Sequence, residues 1–444
     1  MCSKTAIKKA TRRRGTLLDS LRQFLTPAVW KQGHQAWGKK KRNPRWELQP
    51  LMLTLLAMTW CCGDSQAERF EIGKAFCAAA MTRRRKPGAR VEGFQRAVAR
   101  LPVIVLRALV AGVRREILRL FGDSLWVKGF IPLGVDGSRL ECPRSEELER
   151  YLSQGNRNKS APSIWVTALV HLKSGLLWGW KLGRGDASER DHLRQMLPWL
   201  PAGALVVADA GFNGFFLAQA MIAARTSFLI RMSAKVMLLS ETPVVADQFE
   251  DGQLYYWPEE GQKQRCPPLR VRLIRIRTEK KKNDVWLLTN VLDPERLPAE
   301  AAAQFYRWRW ENEGLFRTYK RTLSKVKLAS RSLKLIHREA EASLLATQLL
   351  LAQGALALNQ NGMPCSPRKV LLAIRSELPR PSVARARFSN RLQQATREQR
   401  ERQSPKEKRV WVGRLPHPAP KPPQIRMLTD RQKRRMRKVL RCAA

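Results

Sequence analysis

Ala204-Leu205-Val206-Val207-Ala208-Asp209-Ala210-Gly211-Phe212 opens with five apolar side chains and then places a carboxylate before a glycine. A short unbroken apolar run that stops at a turn is what a strand buried on both faces requires. Glu189 to Leu200 before it and Gly214 to Arg225 after it have helical spacing, and Ser227 to Met232 reads as another strand. Upstream, Phe130-Ile131-Pro132-Leu133-Gly134-Val135 is a short apolar strand that ends at Asp136-Gly137-Ser138. Ile164 to Leu172 and Leu176 to Leu182 read as two strands joined by Lys173-Ser174-Gly175, a hairpin signal. The order strand, strand, strand, helix, strand, helix, strand predicts a mixed five-stranded α/β sheet with helices on its faces. In that reading the first three strands form an antiparallel meander and the fourth runs parallel to the first.

Sheets of this kind gather ligands at the carboxyl ends of their central strands. Asp136 and Asp209 each close an apolar strand, so they meet if those two strands are neighbours. A third carboxylate lies in Tyr306-Arg307-Trp308-Arg309-Trp310-Glu311-Asn312-Glu313-Gly314-Leu315-Phe316-Arg317-Thr318-Tyr319-Lys320, which follows a run of alanines and reads as one helix. At about 100° per residue, Tyr306, Arg309, Glu313 and Lys320 share an arc of roughly 60°, whereas Glu311 points about 160° from Glu313. Arg309 and Glu313 alone could be an ordinary i,i+4 pair, but that leaves the alignment of Tyr306 and Lys320 unaccounted for.

The chain has 444 residues and a net charge of +46, from 83 Lys+Arg against 37 Asp+Glu. Such self-repulsion points to a polyanionic partner, and nucleic acid is the first candidate because neutralised phosphates release counterions. An anionic membrane surface is the rival. Leu51 to Cys62 is too short to span a bilayer, Leu101 to Phe121 carries four arginines, and no secretory leader is evident, so a cytoplasmic, nucleoid-associated location is expected. The eight cysteines form no Cys-x-x-Cys pair and fit reduced thiols rather than a zinc site.

Residues 1–124 read as a basic helical DNA-binding domain, with Arg12-Arg13-Arg14, Lys39-Lys40-Lys41-Arg42 and the turn Thr82 to Gly88 as its densest charge. Residues 125–234 read as the first part of the catalytic sheet. Gln253 to Trp257, Leu269 to Arg277 and Asp284 to Leu292 are strand-like, with Glu279 to Asp284 as a polar turn, and make 235–296 a β-rich insertion. Residues 297–330 supply the helix that completes the core. Leu323 to Asn361 reads as helical, and residues 331–444 form a helical C-terminal region that ends in a basic, proline-rich tail, with Pro416, Pro418, Pro420, Pro422 and Pro423 close together. That tail reads as a linker or disordered arm.

Three converging carboxylates repel one another and stay ionised only around cations. Hard divalent ions, Mg²⁺ or Mn²⁺, suit an all-oxygen set, and a pair of them serves in-line phosphoryl transfer. The strand order is the ribonuclease-H-like arrangement. Val135-Asp136-Gly137-Ser138, Ala208-Asp209-Ala210-Gly211-Phe212 and the spacing Tyr-x2-Arg-x3-Glu-x6-Lys at Tyr306, Arg309, Glu313 and Lys320 resemble the bacterial DDE transposases of the insertion-sequence-4 family. The resemblance covers roughly Phe130 to Ser330. It implies cut-and-paste transposition, with cleavage at terminal inverted repeats and strand transfer into target DNA. Asp136, Asp209 and Glu313 would hold two Mg²⁺ (or Mn²⁺). Arg309 and Lys320 would grip phosphates, Tyr306 would touch the same backbone, and a homodimer would form when two DNA ends are synapsed. Trp286 resembles the family's tryptophan for a flipped base; a strand tryptophan in a core is the other reading. Two further functions use the same residues: a catalytically inactive DNA-binding derivative, and a structure-specific nuclease on the same fold.

Overall fold

In this computed structural model, residues 16–38, 45–81, 88–152, 161–245, 248–277, 284–359, 364–379, 386–397 and 422–443 are described. The clusters Arg12 to Arg14 and Lys39 to Arg42, the turn 82–87, the polar turn 278–283 and the prolines up to Pro420 lie outside them. The elements in chain order are α1 (Leu17–Arg22), α2 (Pro27–Trp37), α3 (Leu48–Trp60), α4 (Gln66–Ala80), α5 (Val91–Arg100), α6 (Val103–Phe121), β1 (Ile131–Glu141), α7 (Glu146–Tyr151), β2 (Ser163–His171), β3 (Leu176–Arg184), α8 (Glu189–Met196), β4 (Ala204–Ala208), α9 (Phe215–Ala223) and β5 (Ser227–Arg231). They continue with β6 (Met237–Ser240), β7 (Asp251–Tyr256), α10 (Glu259–Lys263), β8 (Leu269–Ile276), β9 (Val285–Thr289), α11 (Ala299–Trp308), α12 (Glu311–Arg317), α13 (Leu333–Leu358), α14 (Pro367–Glu377), α15 (Ala386–Gln393), β10 (Gln424–Met427) and α16 (Asp430–Ala443). The chain is a mixed α/β protein. It divides into two units, the first comprising Met1–Trp126, Gly137–Ser188 and Trp310–Arg397, and the second comprising Val127–Asp136, Glu189–Arg309 and Glu398–Ala444.

The first unit is organised on α13. Ser332 caps it by accepting from the Leu335 N–H at 3.4 Å, so the helix begins ten residues later than the Leu/Ala pattern from Leu323 suggests. The intervening segment is extended in part and returns to β1, with the Leu328 N–H donating to the Glu141 carbonyl at 2.9 Å. Among the described helices α13 alone is long and apolar enough to cross a membrane, but 94% of that stretch is buried inside the protein. It is a core helix. Several of the polar groups on and around it are paired, as burial demands. The Trp60 indole N–H donates to the Ala346 carbonyl at 3.2 Å, the Gln348 amide to the Leu177 carbonyl at 3.0 Å, and the Trp180 indole to Glu341 at 2.6 Å.

The hairpin signal at Lys173-Ser174-Gly175 is met. β2 and β3 pair antiparallel, and Gly175 adopts φ 69°, a conformation open to glycine at little cost. β1 does not stop at Asp136 as its apolar run suggests. It continues to Glu141 because its second half lies beside β2.

In the second unit the strands lie side by side in the order β10-β6-β7-β8-β9-β5-β4-β1. The fourth strand is parallel to the first, with Ile131 opposite Ala204 and Gly134 opposite Val207, and β4 is parallel to β5. The expected sheet of five strands is larger. β9 runs antiparallel to β5, with Leu229 opposite Thr289, so the strands of the 235–296 region extend the same sheet. α9 packs on β5, and α11 packs on β4 and β8.

The tail also departs from its reading as a linker or arm. Gln424-Ile425-Arg426-Met427 forms β10, parallel to β6, and α16 follows. Gln424-Ile425-Arg426-Met427 alternates polar and apolar, but four residues are too few for the period to stand out, and polar side chains are what an edge strand uses to avoid further pairing.

His171 closes β2 and is 1% exposed. Its Nε2–H donates to the Leu125 carbonyl at 2.9 Å, and its Nδ1 accepts from the Ser174 hydroxyl at 2.7 Å. The neutral ring is thus satisfied at both nitrogens, and burial pushes its pKa down to about 4. The unfolded ring titrates near 6.5, so the unfolded chain binds the extra proton and stability falls as pH drops from about 6.5 towards 4. A loss of up to about 3 kcal/mol is expected across that window. Urea midpoints against pH should show it for the parent and not for His171→Asn; an unchanged slope in the variant would place the effect elsewhere.

Candidate active site

The buried strand β4 delivers Asp209 to the head of a tight turn over Ala210–Phe212, where its carboxylate accepts from the Ala210 N–H at 2.7 Å. Carrying the β1–β4 register two residues beyond Gly134 and Val207 sets Asp136 beside Asp209. Adjacent strands are about 4.8 Å apart, so two carboxylates share one sheet edge. Asp136 is half-buried.

A third carboxylate joins them. Glu189 opens α8, and Arg190 beside it donates from Nε to the Gly211 carbonyl at 3.0 Å, which fastens the helix start to the turn after Asp209. The Glu189 Oε2 lies 4.0 Å from where a Cβ on Gly211 would sit. Burial raises the Glu189 pKa, and the charges of Asp136 and Asp209 raise it further against the opposing Arg190. Sequence reasoning missed Glu189 because an acid in the first turn of a helix has an ordinary role at the helix dipole. The available signal was its position at the start of the helix leading directly into β4.

Cations and a phenol face Asp209 from within the same unit. Arg231 Nη1 is 3.7 Å from Oδ1, Arg309 Nη2 is 3.8 Å from Oδ2, and the Tyr306 hydroxyl donates to Oδ1 at 3.4 Å. Arg309 is buried, and its guanidinium lies over the Tyr306 ring at 5.5 Å. The Tyr306 pKa is raised by burial first and by the Asp209 charge second. The Asp209 side chain is 41% exposed, so these long ion pairs are worth no more than about 1 kcal/mol each. Their effect is to orient and neutralise.

The signature does not lie on one helix. α11 stops at Trp308 and α12 starts at Glu311; between them the Arg309 N–H bonds back to Tyr306 at 3.1 Å and the Glu313 N–H to Trp310 at 3.2 Å, the i to i−3 pattern of a tighter helix. Thr318–Thr322 is then a wide π turn. Uniform steps of 100° therefore fail across this stretch. Arg309 turns inward to Asp209, and tertiary bonding of one side chain outweighs helical propensity at that step. Tyr306, Arg309, Asp136 and Asp209 belong to the second unit, and Glu313 and Lys320 to the first. Glu313 is exposed on α12. Lys320 donates from Nζ to the Ser138 hydroxyl at 2.8 Å, and burial lowers its pKa against the opposing charge of Glu141.

Trp286 is 5% exposed. It stands on β9 between β5 and β8, with the Arg275 guanidinium 5.1 Å from its ring and Phe249 at 6.3 Å. The packed-strand reading describes this position; a flipped base has no open ring face here, because a central strand buries both of its sides.

Among the described residues no group of three His, Cys, Asp or Glu stands in metal-holding geometry. In kind, the oxygens of Asp136, Asp209 and Glu189 fit a hard divalent cation and suit no soft metal.

No curated protein matches this chain. Among solved structures, the synaptic complex of piggyBac transposase with hairpin DNA is similar, with a TM-score of 0.44 and 12% identity over 85% of this chain and 82% of that one. That likeness is too distant to carry an argument. Residues 132–349, the stretch that holds both aspartates, Glu313 and the whole Tyr-Arg-Glu-Lys spacing, match the family described as the transposase DDE domain, which supports a DDE transposase.

Proposed function

We propose that this protein is the DNA transposase of a bacterial insertion sequence, cutting at terminal inverted repeats and joining the freed ends to target DNA. The observation that carries the reading is the alignment of Asp136 with Asp209 on adjacent parallel strands, inside the stretch that matches the transposase DDE domain. The succession β1, β4, β5 with an aspartate at each of the first two supports a ribonuclease-H-like core. Glu313 enters as the third acid on the spacing of the signature. Asp136, Asp209 and Glu313, with Glu189 beside the aspartates, would hold the divalent ions. Held there, Mg²⁺ or Mn²⁺ would supply activation of a water or 3′-hydroxyl and stabilisation of the leaving oxygen.

The chain's own residues do the rest. The Ala210 N–H and the two arginines aim the Asp209 carboxylate, and Tyr306 fixes one of its oxygens. Arg309, buried against Asp209, carries a planar fork of the kind that suits a phosphate, and half-buried Lys320 offers a point charge. By the resemblance to this family, synapsis of two DNA ends would bring at least two copies together. The net charge of +46 supports DNA as the partner.

DNA bearing the element's own terminal repeats, incubated with Mg²⁺, tests the reading. Asp136→Ala, Asp209→Ala and Glu313→Ala should each drop cleavage to background while still retarding the DNA on a gel. If Glu313→Ala cuts as well as the parent, the assignment of the third acid is wrong. Equal cutting of random branched duplex would favour a structure-specific nuclease, and no cutting by the parent a DNA-binding derivative.

Glu189→Gln keeps the side-chain shape and removes one charge beside the aspartates. A loss of about 10- to 100-fold in cleavage is expected, recovered in part by raising the Mg²⁺ concentration. A rate and Mg²⁺ dependence equal to the parent's would make Glu189 a bystander.

A further inference from the structure

The C-terminal helix α16 has two unlike faces. At about 100° per residue, Arg431, Arg434, Arg435 and Lys438 fall within an arc of roughly 100°, and Met436 points away from it. Met436 is 9% exposed, whereas the four cations are exposed. Among the described residues Arg431, Arg434 and Lys438 make no ion pair or hydrogen bond. Other arginines of the second unit do, as Arg270, Arg275 and Arg277 show on β8 and just beyond it. One acid, Asp430, stands at the helix start, where the dipole favours it.

The helix is anchored in the unit that holds Asp136 and Asp209. β10 pairs with β6, and the Arg435 guanidinium donates to the Gln262 carbonyl of α10. Gly261 of α10 packs so closely on Phe215 that an added Cβ would lie 2.8 Å from the ring. Gly214, the neighbour of Phe215, lies against Arg190, and Arg190 holds the Gly211 carbonyl two residues after Asp209. A continuous run of packed contacts thus joins the basic helix to the aspartate turn.

We propose that α16 is a DNA-backbone rail, with Arg431, Arg434 and Lys438 gripping phosphates of the duplex on which the aspartates act. The proposal rests on the function put forward above for its substrate. The three cations span about 10 Å of helix, enough for neighbouring phosphates of a strand. A basic amphipathic helix could instead lie on an anionic membrane, but that needs a free apolar face. Here Met436 is spent on the protein core, and Leu440, 44% exposed, is a single large apolar side chain rather than a face, so charge complementarity selects a polyanion.

The full-length triple variant Arg431→Gln, Arg434→Gln, Lys438→Gln tests it by fluorescence anisotropy on duplex DNA in EDTA, over a series of salt concentrations. Glutamine keeps helix propensity, and Arg435 and Met436 remain to hold the helix in place. Each lost phosphate contact should lower the slope of log K against log salt by about 0.9, so the slope should flatten by about 2 to 3. Affinity should fall about equally for all duplex sequences. A charge-keeping variant, Arg431→Lys with Arg434→Lys, should retain the parent slope. An unchanged slope and affinity in the glutamine variant would overturn the rail and leave the transposase reading standing, whereas failure of the parent to bind duplex DNA would overturn that reading first. Loss of binding to phosphatidylserine vesicles with DNA binding intact would overturn the rail in favour of a membrane surface.

Discussion

The parallel pairing of β1 with β4 is the constraint on which the chemistry depends. Both strands are apolar up to their acids, so each is driven to the middle of the sheet, and the register then fixes Asp136 next to Asp209. Two carboxylates one strand spacing apart repel, and the fold accepts that cost. It places Glu189 near both of them, which raises the negative potential further, and it sets Arg231 and Arg309 on Asp209 as counter-charges. A site so composed is unfavourable without cations and well suited to them.

The arginine at the break of the signature helix shows how local pattern gives way to tertiary bonding. Nothing in Tyr306 to Lys320 is a helix breaker before Gly314, yet the chain tightens at Arg309 and widens at Thr318. Arg309 is buried against Tyr306 and Asp209, and Lys320 reaches Ser138. The candidate site side chains are here aimed by departures from the regular helix.

The charge of the chain is placed as well as abundant. Around β8, arginines are matched to Asp251, Glu250 and Asp284 and serve the fold. On α16, Arg431 and Arg434 stand exposed with no such acid paired to them among the described residues. The difference lies in partners rather than in residue type, and composition alone does not express it.

The amino-acid order determined the mixed α/β class, the hairpin between β2 and β3, the helical character of the described residues between Pro50 and Phe121 and the neighbouring placement of Asp136 and Asp209. Each rests on an apolar period or a turn residue, and such signals are local. It did not determine that β9 would join β5, that four tail residues would become β10, that Trp286 would be enclosed, or that Glu189 would join the aspartates. Those outcomes are pairings between residues far apart in the chain, decided by which edge or face is left open once the strongest strands have met. Sequence period reports what a segment can bury; only the assembled sheet decides against what.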